Sequence, residues 1–120
     1  MKKGYKRSDR VGELLRQEIA QILQREAKDP LCRDATVTEV VPSEDLRHAR
    51  VYFSAGLGGS APEEVQKALE RSAPFLRREL KGRMDMRQVP ELTFHYDESI
   101  DRGAKMDELL TRIAKKEGRG

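Results

Sequence analysis

The chain has 120 residues, which suits one domain with one hydrophobic core. Charged residues make up 38% and hydrophobic residues 37%, with a net charge of +3. No apolar run has the length of a membrane span, and no apolar stretch follows the basic N-terminus as in a secretory signal. The single cysteine, Cys32, excludes an intramolecular disulfide and fits a reducing compartment. We therefore expect a cytoplasmic protein with a charged surface and no membrane partner.

The N-terminal quarter predicts a basic arm followed by a long helix. Residues 1–7 are basic and lack apolar periodicity, which indicates a flexible arm. Ser8 or Asp9 can cap a helix, and apolar residues then recur every three or four positions from Val11 to Leu23. This helix is expected to end before Pro30, since proline cannot continue it.

Two β-strands are predicted next. Residues 36–41 are rich in β-branched side chains, and within residues 46–55 the two faces alternate strictly from His48 onward. In the second stretch Ala49, Val51 and Phe53 share one face, so only that face is expected to be buried. The short turn between the two stretches predicts an antiparallel hairpin.

The second half of the chain predicts helices around one further strand. A helix beginning at Pro62 should stop near Ser72, because Pro74 disfavours helical geometry in the residue before it. A second helix would then begin at Pro74. The pattern of residues 90–97 predicts a strand, and Ser99 could cap a last helix.

This order, α-β-β-α-α-β-α, predicts an α+β two-layer sandwich with the helices on one face of a three-stranded sheet. We expect one domain over residues 8–116 and a disordered tail over residues 117–120. The other sheet face is expected to be polar.

Catalytic motifs are absent from the sequence. The glycine-rich stretch 56–59 lacks the spacing of a phosphate-binding loop, and Cys32 has no context that would activate a thiolate. His48 and His95 fall on polar strand faces without a metal-ligand spacing. We expect no enzymatic activity, no metal, no cofactor and no small-molecule substrate.

Positive charge is concentrated in two segments. Residues 1–10 hold five basic residues against one acidic residue, and residues 71–87 hold six against two. On a helix, Arg77, Arg78 and Lys81 would point away from the apolar stripe and into solvent. Segregated positive charge is typical of a surface that meets a polyanion. The predicted RNA-binding residues are Lys2, Lys3, Lys6, Arg7, Arg10, Arg71, Arg77, Arg78, Lys81, Arg83 and Arg87.

The predicted break at Ser72-Ala73-Pro74 adds a second attraction for phosphate. A helix that begins at Pro74 would present free backbone N–H groups near Phe75 and Leu76. Such helix starts attract phosphate groups. The break would therefore place an anion-binding helix start directly before the basic face.

The element order with a break between adjacent helices resembles a type II KH domain. Four stretches in this order are similar to the ribosome-binding factor A family over roughly residues 5–115: SDRVGELLRQEIAQIL, VTEVVPSEDLRHARVYFS, LRREL and RQVPELTFHYDESIDRGAKMDELL. The chain has no GXXG sequence between residues 68 and 82. Where the family has an Ala-x-Gly kink, this chain has Ser72-Ala73-Pro74.

The resemblance implies a monomeric, non-enzymatic factor that binds 16S rRNA and the free 30S subunit during late maturation, including 5′-end processing of the precursor. An alternative from another class is a protein-interaction adaptor that uses the open sheet face around Arg50 and Tyr52. A small hydrolase or nucleotide-binding enzyme is a third interpretation, which the absent motifs disfavour.

Overall fold

The computed structural model describes residues 7–55 and 59–98, with the side chains of residues 9–55 and 59–98. The helices and strands follow the chain as α1 Arg7–Arg25, α2 Pro30–Arg33, β1 Ala35–Pro42, β2 His48–Ala55, α3 Pro62–Arg83 and β3 Glu91–Tyr96. Residues 1–6 of the predicted arm 1–7 lie outside this description, as do the predicted last helix and the tail 117–120.

The three strands form one mixed sheet with β2 at its centre. β1 and β2 pair antiparallel, so the predicted hairpin is confirmed, and its ladder shifts register between Val37 and Glu39. β3 lies parallel to β2, with Val51 beside Phe94. A parallel neighbour requires a crossover connection, which α3 supplies.

The hydrophobic core lies between the sheet and the two long helices. On β2, Ala49, Val51 and Phe53 are at most 2% exposed, whereas His48 and Arg50 on the other face are exposed. α1 packs on β1, and α3 packs on β3 and α1. A Cβ atom at Gly12 would lie 2.5 Å from the carbonyl oxygen of Val40, so glycine permits the close approach of α1 to β1. The predicted α+β sandwich is confirmed.

The predicted end of a helix near Ser72 is wrong, because α3 continues through Pro74 to Arg83. Pro74 has no N–H to donate to the carbonyl of Glu70, so α3 lacks one main-chain hydrogen bond there. Leu69 and Leu76, on either side of the proline, are both 0% exposed. Burial of one continuous apolar stripe offsets the lost hydrogen bond, so no new helix start arises at Phe75.

Two further boundaries differ from the prediction. α1 begins at Arg7, within the predicted arm. The short helix α2 was not predicted; Asp29 caps it by accepting a hydrogen bond from the Leu31 amide. α2 buries Cys32 against α3, where its Sγ lies 3.2 Å from the Ser72 Oγ. Among the helices of residues 7–55 and 59–98, none combines the length and the hydropathy of a membrane span.

Candidate nucleic-acid interface

A basic groove lies between the second half of α3 and residues 84–90, the segment that connects α3 to β3. Its volume is about 380 Å³. The lining residues, which define the basic groove below, are Pro74, Arg77, Arg78, Lys81, Arg87, Gln88 and Val89. It therefore brings together four of the predicted RNA-binding residues and the proline.

Three of these cations, Arg78, Lys81 and Arg87, are exposed; we call them the groove cations. Within the described residues, none of the three has a hydrogen bond or an ion pair to another side chain. Arg78 and Lys81 come from one helix, whereas Arg87 comes from the connecting segment. Cations from two elements can contact one phosphate chain from two sides.

The prediction that Arg77 points into solvent is wrong. Its Nε donates to the Pro90 carbonyl oxygen at 3.1 Å, and its Nη2 donates to the Val89 carbonyl oxygen at 2.9 Å. The side chain is half-buried because the connecting segment folds back over it. Arg77 lies next to the buried apolar stripe of α3, and the connecting segment covers it where the chain returns toward β3.

Arg83 is held by carboxylates of the fold. It contacts Glu18 at 3.3 Å and Glu79 at 3.9 Å, and it also pairs with Glu26. The pKa of Glu79 is raised because its carboxyl hydrogen bonds with that of Glu26, so Arg83 offsets a crowding of like charges. This arginine ties α3 to α1 and does not line the basic groove.

The other predicted RNA-binding residues lie elsewhere. Arg71 pairs with Asp29 at 3.1 Å, although its side chain remains 62% exposed. Arg10 is exposed on α1 and lines a separate groove beside β1. The structure thus does not bring Arg71, Arg83 or Arg10 into the basic groove. Lys2, Lys3, Lys6 and the Arg7 side chain lie outside the described residues.

The open sheet face carries an ordered polar cluster. The Arg50 guanidinium carbon lies 5.9 Å from the centre of the Tyr52 ring, whose centroid is 5.5 Å from that of His95. His95 also contacts the Thr93 hydroxyl at 2.9 Å. Glu39 lies beside Tyr52 in the register, so this face lacks the unbalanced positive charge of the basic groove.

Features that would indicate enzyme chemistry do not assemble in the described part of the chain. Burial raises the pKa of the Cys32 thiol, which disfavours the reactive thiolate. Within residues 7–55 and 59–98, no group of three or more His, Cys, Asp or Glu residues is placed to hold a metal ion.

Sequence reasoning missed Gln88 and Val89 as groove residues, and it missed the acidic partners of Arg83. The sequence Gln88-Val89-Pro90 did contain a signal. Two apolar residues before a strand favour burial, and Val89 and Pro90 are indeed buried. Buried residues there bring the preceding Arg87 back beside α3.

The comparisons with known proteins agree on one family. The family model for ribosome-binding factor A matches residues 7–110. Ribosome-binding factor A of Methylobacillus flagellatus is 48% identical over 111 residues, which cover 92% of this chain and 86% of that one.

Solved structures show the same likeness. The crystal structure of ribosome-binding factor A from Thermus thermophilus matches with a TM-score of 0.67 at 28% identity, covering 77% of this chain and 97% of that chain. A homology model of the Thermus thermophilus factor, fitted into a cryo-EM map of its complex with the 30S subunit, matches with a TM-score of 0.59 at 28% identity. The match covers 72% of this chain and 91% of that chain.

Proposed function

The chain belongs to the ribosome-binding factor A family, and on that premise we propose that it binds the free 30S subunit through 16S rRNA. In this proposal it acts without catalysis during late maturation of the subunit and assists 5′-end processing of the 16S precursor. It does so as a monomer, by holding folded rRNA.

The observation that carries the proposal is the basic groove with its three groove cations. Arg78, Lys81 and Arg87 are exposed and are free to pair with phosphates. The Thermus thermophilus relative, whose fitted model matches this chain, forms a complex with the 30S subunit. The partner of that relative and the free cations here both support binding to a large polyanion.

Affinity in this proposal depends strongly on salt. If about six phosphates are contacted, the plot of log affinity against log salt should have a slope of roughly −4 to −5. Three contacts would come from the groove cations. About three others would come from among the basic residues before α1 and at its start (Lys2, Lys3, Lys6 and Arg7) and Arg10.

The test is co-sedimentation of the purified full chain with free 30S subunits. The protein is expected to pellet with them at low salt and to be released at high salt. The groove variant, in which each groove cation is replaced by glutamine (R78Q/K81Q/R87Q), should lose at least about tenfold in affinity. Wild-type binding that is independent of salt would contradict the proposal.

A matched control separates the groove from net charge. The control variant (R25Q/K28Q/K67Q) also removes three positive charges, but at exposed positions outside the basic groove. Its affinity should stay within about threefold of wild type, since screened charges at a distance contribute little. Equal losses in the two variants would show that only net charge matters.

The ordered cluster of Arg50, Tyr52 and His95 supports a second candidate, a protein-interaction adaptor. That function predicts a partner that is retained after ribonuclease treatment and at high salt. Tyr52→Ala would remove such binding, whereas the groove variant would retain it. Loss of the captured partner on ribonuclease treatment would exclude this candidate.

A further inference from the structure

Arg77 makes a two-pronged contact at the wall of the basic groove. The guanidinium donates from Nε and from Nη2 to two successive carbonyl oxygens, those of Pro90 and Val89, at 3.1 and 2.9 Å. Its planar fork of donors fixes both acceptors at once, which a lysine ammonium cannot do with the same geometry. The contact therefore sets the position of the backbone at Val89 and Pro90 relative to α3.

The connecting segment has few other hydrogen bonds to hold it. In the described part of the chain, its backbone–backbone hydrogen bonds lie at the two ends. Met84 donates to the Leu80 carbonyl and Met86 to the Met84 carbonyl at one end, and Glu91 donates to the Arg47 carbonyl at the other. Residues 87–90 lie between these two ends. Burial of Val89 and Pro90 and the two bonds from Arg77 fix this part of the segment.

Arg87 depends on that anchorage because it stands two residues before Val89 on the same segment. It is exposed and lines the basic groove opposite the α3 residues Arg78 and Lys81. If the segment moved away from α3, the cation would leave the groove although its charge would be unchanged. Preorganised cations bind more tightly than mobile ones because less freedom is lost on binding.

We propose that Arg77 is a positioning residue, which holds the connecting segment against α3 so that Arg87 faces the other groove cations across a phosphate-binding space. This inference rests on the proposed binding of 16S rRNA in the basic groove. It assigns Arg77 a different role from its neighbour Arg78, which contacts the ligand through its charge alone.

The test compares Arg77→Lys with Arg25→Lys, both of which keep the positive charge; Arg25 is exposed on α1 and lies outside the basic groove. Affinity for free 30S subunits is measured with the full chain at fixed salt. Arg77→Lys should lose about fivefold to tenfold in affinity because the fork is lost, whereas Arg25→Lys should stay within about twofold of wild type. Equal retention by both variants would overturn the proposal.

A double-mutant cycle separates positioning from a general structural effect. Once Arg87→Gln has removed the positioned cation, adding Arg77→Lys should weaken binding by less than about twofold more. In the same background, Arg78→Gln should still weaken binding by its full single-variant factor. An additive loss for Arg77→Lys and Arg87→Gln would overturn the positioning role.

Circular dichroism and thermal melts accompany every variant. The far-ultraviolet spectrum of Arg77→Lys should match that of wild type at the temperature of the binding assay. An unfolded Arg77→Lys would make Arg77 a residue of global stability and would overturn the proposal. Absence of binding by wild type itself would instead refute the proposed function, so the two failures are distinguishable.

Discussion

Arg83 and Arg78 belong to one basic run on α3, but their surroundings differ. Arg83 contacts three carboxylates, two of them on α1 or just after its end, and only 27% of its side chain is exposed. Arg78 is exposed and lines the basic groove. A run of cations therefore divides into residues that pair with carboxylates of the fold and exposed residues that have no ion pair within the described part of the chain. The division depends on which elements pack beside each one.

If this comparison is right, neutralising or reversing each cation should change stability according to its intramolecular contacts. The largest effect is expected for Arg83→Glu. It would remove the ion pairs to Glu18 and Glu26 and add a fourth carboxylate to the cluster. We expect a loss of about 2 kcal/mol in the free energy of unfolding, measured by urea denaturation.

The affinity of folded Arg83→Glu for 30S subunits serves as its control. It should remain within a few-fold of wild type, because Arg83 does not line the basic groove. A stable Arg83→Glu variant that fails to bind would reverse the assignment of this residue.

A smaller effect is expected for Arg71→Gln. Its ion pair with Asp29 has a distance of 3.1 Å, but the arginine side chain is 62% exposed, so water screens the pair. The free energy of unfolding should fall by about 0.5 kcal/mol or less in the same urea assay. A loss as large as that of Arg83→Glu would show that side-chain exposure does not determine how much each ion pair contributes to the free energy of unfolding.

The smallest change in stability is expected for the groove variant. Its three cations have no ion pair within the described residues, and removing them relieves repulsion between like charges. Its free energy of unfolding should lie within about 0.5 kcal/mol of wild type. A marked loss of stability would mean that the groove cations hold the fold after all.

The fold was largely predictable because it rests on periodic burial. Alternation along β2 identified Ala49, Val51 and Phe53 as core residues, and helical spacing identified Leu69, Leu76 and Leu80. The same spacing crosses Pro74 without interruption. The local rule for proline suggested a helix end, but burial on both sides of Pro74 outweighed it, and only tertiary packing shows this.

The positive charge of the candidate site was predictable from the sequence. Which of its arginines pair within the fold and which stay exposed was not. Sequence reasoning gathered Arg71, Arg77, Arg78, Arg83 and Arg87 into one set because their spacing and sign are alike. The contacts that each arginine makes depend on other segments of the chain: α1 for Arg83 and the segment before β3 for Arg77. Such contacts between distant segments leave no local pattern beside the arginines themselves.

The most direct test of the central claim is the salt dependence of binding to free 30S subunits for wild type, the groove variant and the control variant. If the groove cations bind phosphates, the log–log slope of the groove variant should be smaller in magnitude by about 2 to 3. The control variant should keep the wild-type slope. A groove variant with the wild-type slope would contradict the claim that Arg78, Lys81 and Arg87 contact the rRNA backbone.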